Sequence, residues 1–220
     1  YSPMFSSSYT RDSFAVYLEA NMDVTDALFA QAAVRYEDYE DFGSEVIYKI
    51  AGKYDISDNI GIRASFNTGF RAPTPGQQGT TNVSTRLPNG VPVATGLFPA
   101  SGPIAKALGA EDLAPETSEG LSVGLVGNIG PIDFTIDYYT IDIEDYFSAV
   151  SERDVSTDPT DAAAYENFLA LDSAGVVGAN TIGSVFFFTN AYDVNVSGVD
   201  AVVTYPIESD LGTTDITFTY

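Results

Sequence analysis

The side chains that most often do chemistry are missing from this sequence, which has no His and no Cys among its 220 residues. Without them there is no imidazole base, no thiolate nucleophile, no disulfide and no ordinary zinc site, and the usual hydrolase triads are excluded. Carboxylates are the main reactive groups left. Asp142-Ile143-Glu144-Asp145 offers oxygen ligands at spacings a Ca²⁺ ion could use, yet it lacks the Gly-containing loop of an EF-hand. It is read as a solvated acidic strand end, and no metal ligand is assigned. Paired carboxylates also hydrolyse glycosides, but only at a fixed separation, which nothing in this sequence sets. No catalytic residue and no cofactor site are assigned, and the chain is not read as an enzyme.

Binding chemistry has better candidates. Arg86 and Arg153 stand isolated in acidic loops, where a guanidinium could meet an anionic substrate. Tyr165 and Phe168 present rings in the second long loop, although Phe168, like Leu171, also suits a loop core. Phe186-Phe187-Phe188 could stack on a sugar or ring; a strand at a membrane boundary shows the same run, and that reading is preferred. Arg71 is expected to anchor a strand end.

The elements that must position these residues are read from alternation. Between Ile60 and Phe70, Ile60, Ile62, Ala64, Phe66 and Phe70 share one parity, while Gly61, Arg63, Ser65, Asn67 and Gly69 share the other. That is the period of a strand with two unlike faces. At about 3.3 Å per residue it spans roughly 36 Å, far longer than a usual soluble strand and suited to a tilted bilayer crossing. The pattern recurs from Ser13, from Leu28, from Val46, from Leu121, from Ile132, from Val185 and from Thr213, for eight strands in all. The phase slips at Tyr138-Tyr139, which predicts either a bulge or a strand leaving the bilayer for a two-sided environment. Ser197-Gly198 predicts a bulge or a close approach.

The connections run short, medium, short, long, short, long, short. Residues 1 to 12 read as the end of a loop. Arg71 to Leu113 shows no alternation, and Pro103 to Gly109 within it predicts a short helix with Pro in its first turn and Gly just past its end. The second long loop, Ser148 to about Gly183, predicts a helix capped near Asp158 and stopping near Gly175. Loops this long are usually functional.

Nine basic against thirty-one acidic residues give a net charge of −22. Such a balance argues against nucleic acid as a partner. No apolar run approaches the roughly 18 residues of a spanning helix, so a membrane role falls to strands, and only a closed sheet satisfies its backbone in lipid. The chain begins at Tyr1 and ends inside an alternating run, and is expected to be an internal piece of a longer protein.

Several segments resemble one family. Val34-Arg35-Tyr36-Glu37-Asp38-Tyr39, Arg63-Ala64-Ser65-Phe66, Phe70-Arg71-Ala72-Pro73 and Leu113-Ala114-Pro115-Glu116-Thr117-Ser118-Glu119 are similar to the barrel of TonB-dependent outer-membrane receptors. Asp137-Tyr138-Tyr139-Thr140-Ile141-Asp142-Ile143 and Asn190 with Gly198-Val199-Asp200 follow in family order. The resemblance implies an all-β, antiparallel, up-and-down transmembrane barrel of 22 strands, of which residues 1–220 would supply about eight, with two long extracellular loops carrying short helices. It implies an N-terminal plug domain in the lumen, the TonB complex as energy source and the Gram-negative outer membrane as location. The plug, the TonB-binding segment and the last strands would lie elsewhere in the protein.

The resulting expectation is an active-transport receptor that binds a scarce solute, a siderophore, corrinoid or saccharide, at its outer loops. The apolar parity would face outer-membrane lipid, and Glu19, Arg35, Lys49, Lys53 and Arg63 would line the lumen. Two rivals share the pattern: a soluble lipocalin-like barrel that turns the apolar parity inward around a small molecule, and an acidic cell-surface adhesin.

Overall fold

A computed structural model describes residues 10–210 and 212–220. Most of the expected terminal loop of residues 1 to 12 therefore lies outside the described residues. In chain order the elements are β1 (Ser13–Thr25), β2 (Leu28–Tyr39), β3 (Gly43–Ser57), β4 (Ile60–Arg71), α1 (Pro75–Gly79), β5 (Asn82–Arg86), β6 (Val93–Leu97) and α2 (Pro103–Ala107). They continue with β7 (Glu116–Ile129), β8 (Ile132–Ala149), β9 (Arg153–Asp154), α3 (Ala162–Ser173), β10 (Ile182–Phe186), β11 (Phe188–Ser209) and β12 (Gly212–Thr219).

The chain divides into two compact units. One contains Ser13–Phe70, Thr117–Glu144 and Asp193–Tyr220. Its strands form an eight-stranded sheet in the order β1-β2-β3-β4-β7-β8-β11-β12, so each strand lies beside the next long strand in the chain. The pairing is antiparallel wherever a register is defined. All eight expected strands are present. The register keeps the parities apart: Ile50 lies opposite Phe66 and Tyr54 opposite Ile62, while Lys49 lies opposite Asn67 and Lys53 opposite Arg63.

On the apolar face no charge interrupts the row from Leu121 to Ile129 in β7 or from Val199 to Ile207 in β11. Eight steps of about 3.3 Å make a band roughly 26 Å tall, close to the roughly 25 Å apolar band of an outer-membrane barrel. Aromatic rings mark its two levels, with Tyr36 and Tyr48 toward the β2–β3 tip and Tyr54 and Tyr205 toward the short turns. All four are exposed, as suits rings with one wet end.

Of the two readings of the phase slip at Tyr138-Tyr139, the bulge is not the one found. The β7–β8 register runs unbroken from Thr117 opposite Glu144 to Ile129 opposite Ile132. The apolar parity instead turns polar at Thr140 and Asp142, the latter opposite Glu119, so the phase slip marks the edge of the band. Within β8 the one residue with a positive φ is Asp145, at 58°.

The other unit contains Tyr1–Asp12, Arg71–Glu116 and Asp145–Tyr192. Here the two long loops fold on each other. Strands β5 and β6 from the first loop and β9 and β10 from the second form one four-stranded sheet in the order β5-β6-β10-β9. Phe98, Leu108 and Leu113 from the first loop share a core with Leu171, Val185 and Phe187 from the second. The first loop was expected to hold only a helix; β5 and β6 are five residues each, too short for alternation to stand out, and their pairing is with each other and the second loop.

The two helices expected from the sequence, α2 and α3, have the expected stops. Gly109 follows α2 with φ 86° and Gly175 follows α3 with φ 73°, left-handed conformations that Gly adopts without Cβ strain. The cap of α3 is Asp161, which accepts from the Ala164 N–H at 3.3 Å. Asp158 instead closes the preceding turn, accepting from the Thr160 N–H at 2.9 Å and its hydroxyl at 2.7 Å. Those two bonds hold the Asp158 carboxyl below the usual carboxylate range.

The triple phenylalanine is the largest correction. The long strand expected from Val185 to Tyr205 is two strands, β10 and β11, and Phe187 sits between them 2% exposed in the loop core. Its neighbours Phe186 and Phe188 are half-buried. This run is therefore packing and not a membrane girdle. Phe187→Ala should cost about 3–5 kcal/mol of loop-unit stability. Limited proteolysis of the full-length protein should then show new cleavage within residues 151–181 while the eight long strands stay protected.

Candidate functional site: the polar strand face and the loop cavity

Alternation and register place Glu19, Arg35, Lys49, Lys53 and Arg63 on one face of the eight-stranded sheet. Glu19 pairs across to Ala33, Ala33 to Lys49 and Lys49 to Asn67. The four cations among them are all the Lys and Arg of this unit. Each lies beside an acid or amide. Glu19 accepts from Asn21 at 2.8 Å and Gln31 at 3.0 Å. Arg35 pairs with Glu37, whose other oxygen accepts from the Tyr39 hydroxyl at 2.5 Å. Lys53 pairs with Asp55 at 2.8 Å.

Arg63 reaches farthest. Its Nε and Nη2 donate to the two Asp137 oxygens at 2.8 and 2.5 Å, from β4 across β7 to β8. Gly124 of β7 makes that crossing possible, because a Cβ there would lie 1.9 Å from Asp137 Oδ1 and 3.1 Å from Arg63 Nε. The rest of the β4–β7 seam is small and polar: Asn59 donates to Asn128 at 2.8 Å, and the Ser65 and Ser122 hydroxyls lie 2.8 Å apart. Gly198 of β11 gives similar clearance, with its Cβ position 2.7 Å from the Tyr139 hydroxyl oxygen; of the bulge or close approach expected at Ser197-Gly198, this is a close approach. Such a face offers hydrogen bonds and paired charges to water or to a polar surface, with no nucleophile or base aimed at a common point.

Sequence reasoning named Arg63 but missed Asp137 and Gly124 as its partners. The available signal was a Gly on the polar parity of β7 directly opposite an Asp. Reading it required the β4–β7 register, which the long first loop conceals.

In the loop unit, Arg71 and Glu116 join the two ends of the first loop. Arg71 Nη2 donates to Glu116 Oε1 at 2.6 Å, and the same oxygen accepts from the Phe147 N–H at 2.6 Å. Glu116 is 5% exposed. The guanidinium lies over the rings of Phe147 and Tyr146, 5.1 and 5.8 Å from their centroids, a cation–π placement. Asn190 ties the second loop to this point: its Nδ2 donates to the carbonyls of Ala114 at 2.9 Å and Asp145 at 2.7 Å, while its Oδ1 accepts from the Ala114 N–H at 3.0 Å. Arg71 thus has the anchoring contacts expected of it.

The proposed ligand contacts do not converge. Arg86 is exposed at the end of β5 opposite Val93. Arg153 donates to the Leu108 carbonyl at 2.7 Å and lies over the Phe187 ring at 5.5 Å. Tyr165 and Phe168 meet on α3, with centroids 5.9 Å apart, and Phe168 packs against the loop core. A concavity that sequence reasoning missed lies elsewhere in this unit. It has a volume of about 370 Å³ and is lined by Phe98, Pro99, Pro103 and Ile104 from the first loop and Val176 and Val177 from the second, with Thr81 at its wall. Its lining comes from segments about seventy residues apart, which no local pattern brings together. Among the described residues no group of His, Cys, Asp or Glu is arranged to hold a metal ion, and no helix is long and apolar enough to cross a membrane, which says nothing of strands.

A family model described as TonB-dependent receptor-like β-barrel matches residues 1–220. The vitamin B12 transporter BtuB of Photobacterium profundum is 34% identical over 64 residues, which are 29% of this chain and 10% of that protein. Among solved structures, the siderophore receptor PirA of Pseudomonas aeruginosa has a TM-score of 0.63 at 17% identity, covering 96% of this chain and 34% of that one. A variant of the ferric enterobactin receptor of Pseudomonas aeruginosa, in complex with enterobactin, has a TM-score of 0.66 at 14% identity, covering 96% and 27%. At these identities the structures speak for the fold alone. The chain spans about a third or less of the proteins it resembles.

Gly124→Ala should destabilise the strand unit by about 1–3 kcal/mol, although Ala is normally better than Gly in a strand. The cost should largely vanish in an Asp137→Ala background, because the crowded atom is then gone. Urea unfolding of the four members of this double-mutant cycle measures the coupling.

Proposed function

We propose, from the premise that this chain belongs to the TonB-dependent receptor β-barrel family, that it forms about eight strands of the barrel domain of an outer-membrane active-transport receptor. The whole protein would bind a scarce small solute at its outer loops and pass it through the barrel lumen with energy delivered by the TonB complex. Its location would be the outer membrane of a Gram-negative bacterium. Its partners would be outer-membrane lipid and an N-terminal plug domain of the same protein. Transport is non-covalent here; the residues are suited to binding and exclusion, not to bond making.

The observation that carries this reading is the segregation of charge across one sheet. Every Lys and Arg of the strand unit lies on a single face, while the opposite face carries an apolar band of roughly 26 Å without a charge. An apolar row of that height matches hydrocarbon thickness for tilted strands. The paired ions and small polar side chains of the other face suit a hydrated lumen and a polar plug. The two long loops, folded on each other, supply the surface on which a solute would first be held. The siderophore and vitamin B12 proteins it resembles set the range of solutes: a metal chelate, a corrinoid or a comparably sized molecule.

Phe66→Arg, in the middle of the apolar row of β4, should cost about 2–4 kcal/mol in the membrane, and Ser65→Arg on the opposite face much less. Heat-modifiable electrophoretic mobility of the full-length receptor in outer-membrane fractions reports assembly. The reading fails if Phe66→Arg assembles as well as the parent while Ser65→Arg does not. Uptake of the cognate solute should also stop when the proton-motive force is dissipated.

A further inference from the structure

We propose that the cavity of the loop unit takes an uncharged, apolar part of the ligand, and that this unit selects neutral ligands over anionic ones. The inference rests on the transport reading above and narrows its substrate class.

Three observations lead to it. The larger side chains lining the cavity are Phe98, Pro99, Pro103, Ile104, Val176 and Val177, and among the described residues of its wall Thr81 has the one polar side chain. An anion placed there would lose its hydration without gaining a cationic partner, whereas an apolar group would leave water for a surface like itself. Second, four of the five basic side chains of this unit are held by other groups, and the fifth lies outside the lining. Arg71 is bonded to Glu116, Lys106 to Asp112 at 3.0 Å, Arg153 to the Leu108 carbonyl and Arg11 to the Pro73 carbonyl; Arg86 stands at the end of β5 and is no part of the lining. Third, those five cations face eleven Asp and Glu within the same unit. The surrounding field therefore repels an approaching anion.

The volume, about 370 Å³, falls at the small end of ligand pockets. It suits one ring system or a short acyl arm and not an entire chelate or corrinoid. The ligand would then insert an apolar arm between the loops while the rest of it stays on their surface. Both loops supply lining residues, so an inserted arm bridges them. An anionic catecholate chelate is the substrate class this chemistry disfavours.

A matched pair of probes tests the inference: N-phenylnaphthylamine, which is neutral, and anilinonaphthalenesulfonate, which adds a sulfonate to the same rings. Binding is read by fluorescence with the full-length receptor in nanodiscs, after subtraction of empty discs. The neutral probe should bind saturably and at least about tenfold more tightly than the sulfonate. Ile104→Trp, which fills the cavity, and Val177→Trp, which narrows it from an exposed rim position (81% exposed), should each lower that binding about tenfold. Leu87→Trp, exposed and outside the lining, should not. Equal or tighter binding of the sulfonate overturns the inference, as does unchanged neutral binding in Val177→Trp, which disturbs no buried residue. Either result, with proton-motive-force-dependent uptake intact in the same receptor, removes the substrate class and leaves the transport reading standing.

Discussion

The constraint on which the strand unit depends is that one polypeptide backbone must satisfy two unlike solvents through alternate side chains. Backbone N–H and C=O groups are paired between neighbouring strands, so neither face has to hydrate them. Side chains can then be assigned by parity alone: Ile50, Tyr54, Ile62 and Phe66 to one face, Lys49, Lys53, Arg63 and Asn67 to the other. A slip of a single residue anywhere in β3 or β4 would put Lys and Arg among the apolar rows, at a cost of several kcal/mol for each charge in lipid. That penalty fixes the register more firmly than any turn does.

The same requirement explains how a chain with a net charge of −22 can supply a membrane wall. The acids do not enter the apolar band. Within the strand unit they lie on the polar parity, or beyond the band's edge as at Glu119 and Asp142 and in the β2–β3 tip; the others belong to the separate loop unit. The few cations of the strands sit beside acids on the polar face, and the Arg63–Asp137 pair crosses a whole strand because Gly124 leaves the space. Such half-exposed pairs contribute little stability, on the order of 1 kcal/mol or less. Their effect is on the character of the face: each pair lowers its net field, so that whatever lies against it meets hydrogen bonds more than bare charge.

The strands were legible in the sequence because their periodicity is local and long. All eight were found, together with the helix stops at Gly109 and Gly175 and the close approach at Gly198. What escaped depends on residues far apart in the chain. Strands β5 and β6 are too short to show a period, and the sheet that holds them draws half its strands from the second loop. Phe186-Phe187-Phe188 reads as an interface in isolation and becomes a core only because Leu108 and Leu113, some eighty residues earlier, pack against the same cluster. The phase slip at Tyr138 was seen but ambiguous; the unbroken register with β7 decides between a bulge and a change of surroundings. Among the candidate site residues, the five polar-face positions followed directly from parity, and Arg86 and Arg153 did not converge because isolation in sequence says nothing about proximity in space.

The loop unit obeys a different logic from the strands. Its loops are far longer than the connections of a compact domain, and ordering them has an entropic cost that grows slowly with length but falls on every residue fixed. A ligand that had to order such loops would lose that free energy from its affinity. Here the ordering is met within the chain. The shared core of Phe98, Leu171 and Phe187 excludes water, Arg71 and Glu116 close the ends of the first loop, and Asn190 holds the second to Ala114 and Asp145. Glu116 is the side chain whose loss matters most at this point, since its one oxygen serves both the Arg71 guanidinium and the Phe147 N–H. Once that carboxylate is removed, a buried backbone donor and a ring-stacked cation lose their partner together. On the transport function proposed above, loops ordered in advance would leave the free energy of ligand contact for selectivity.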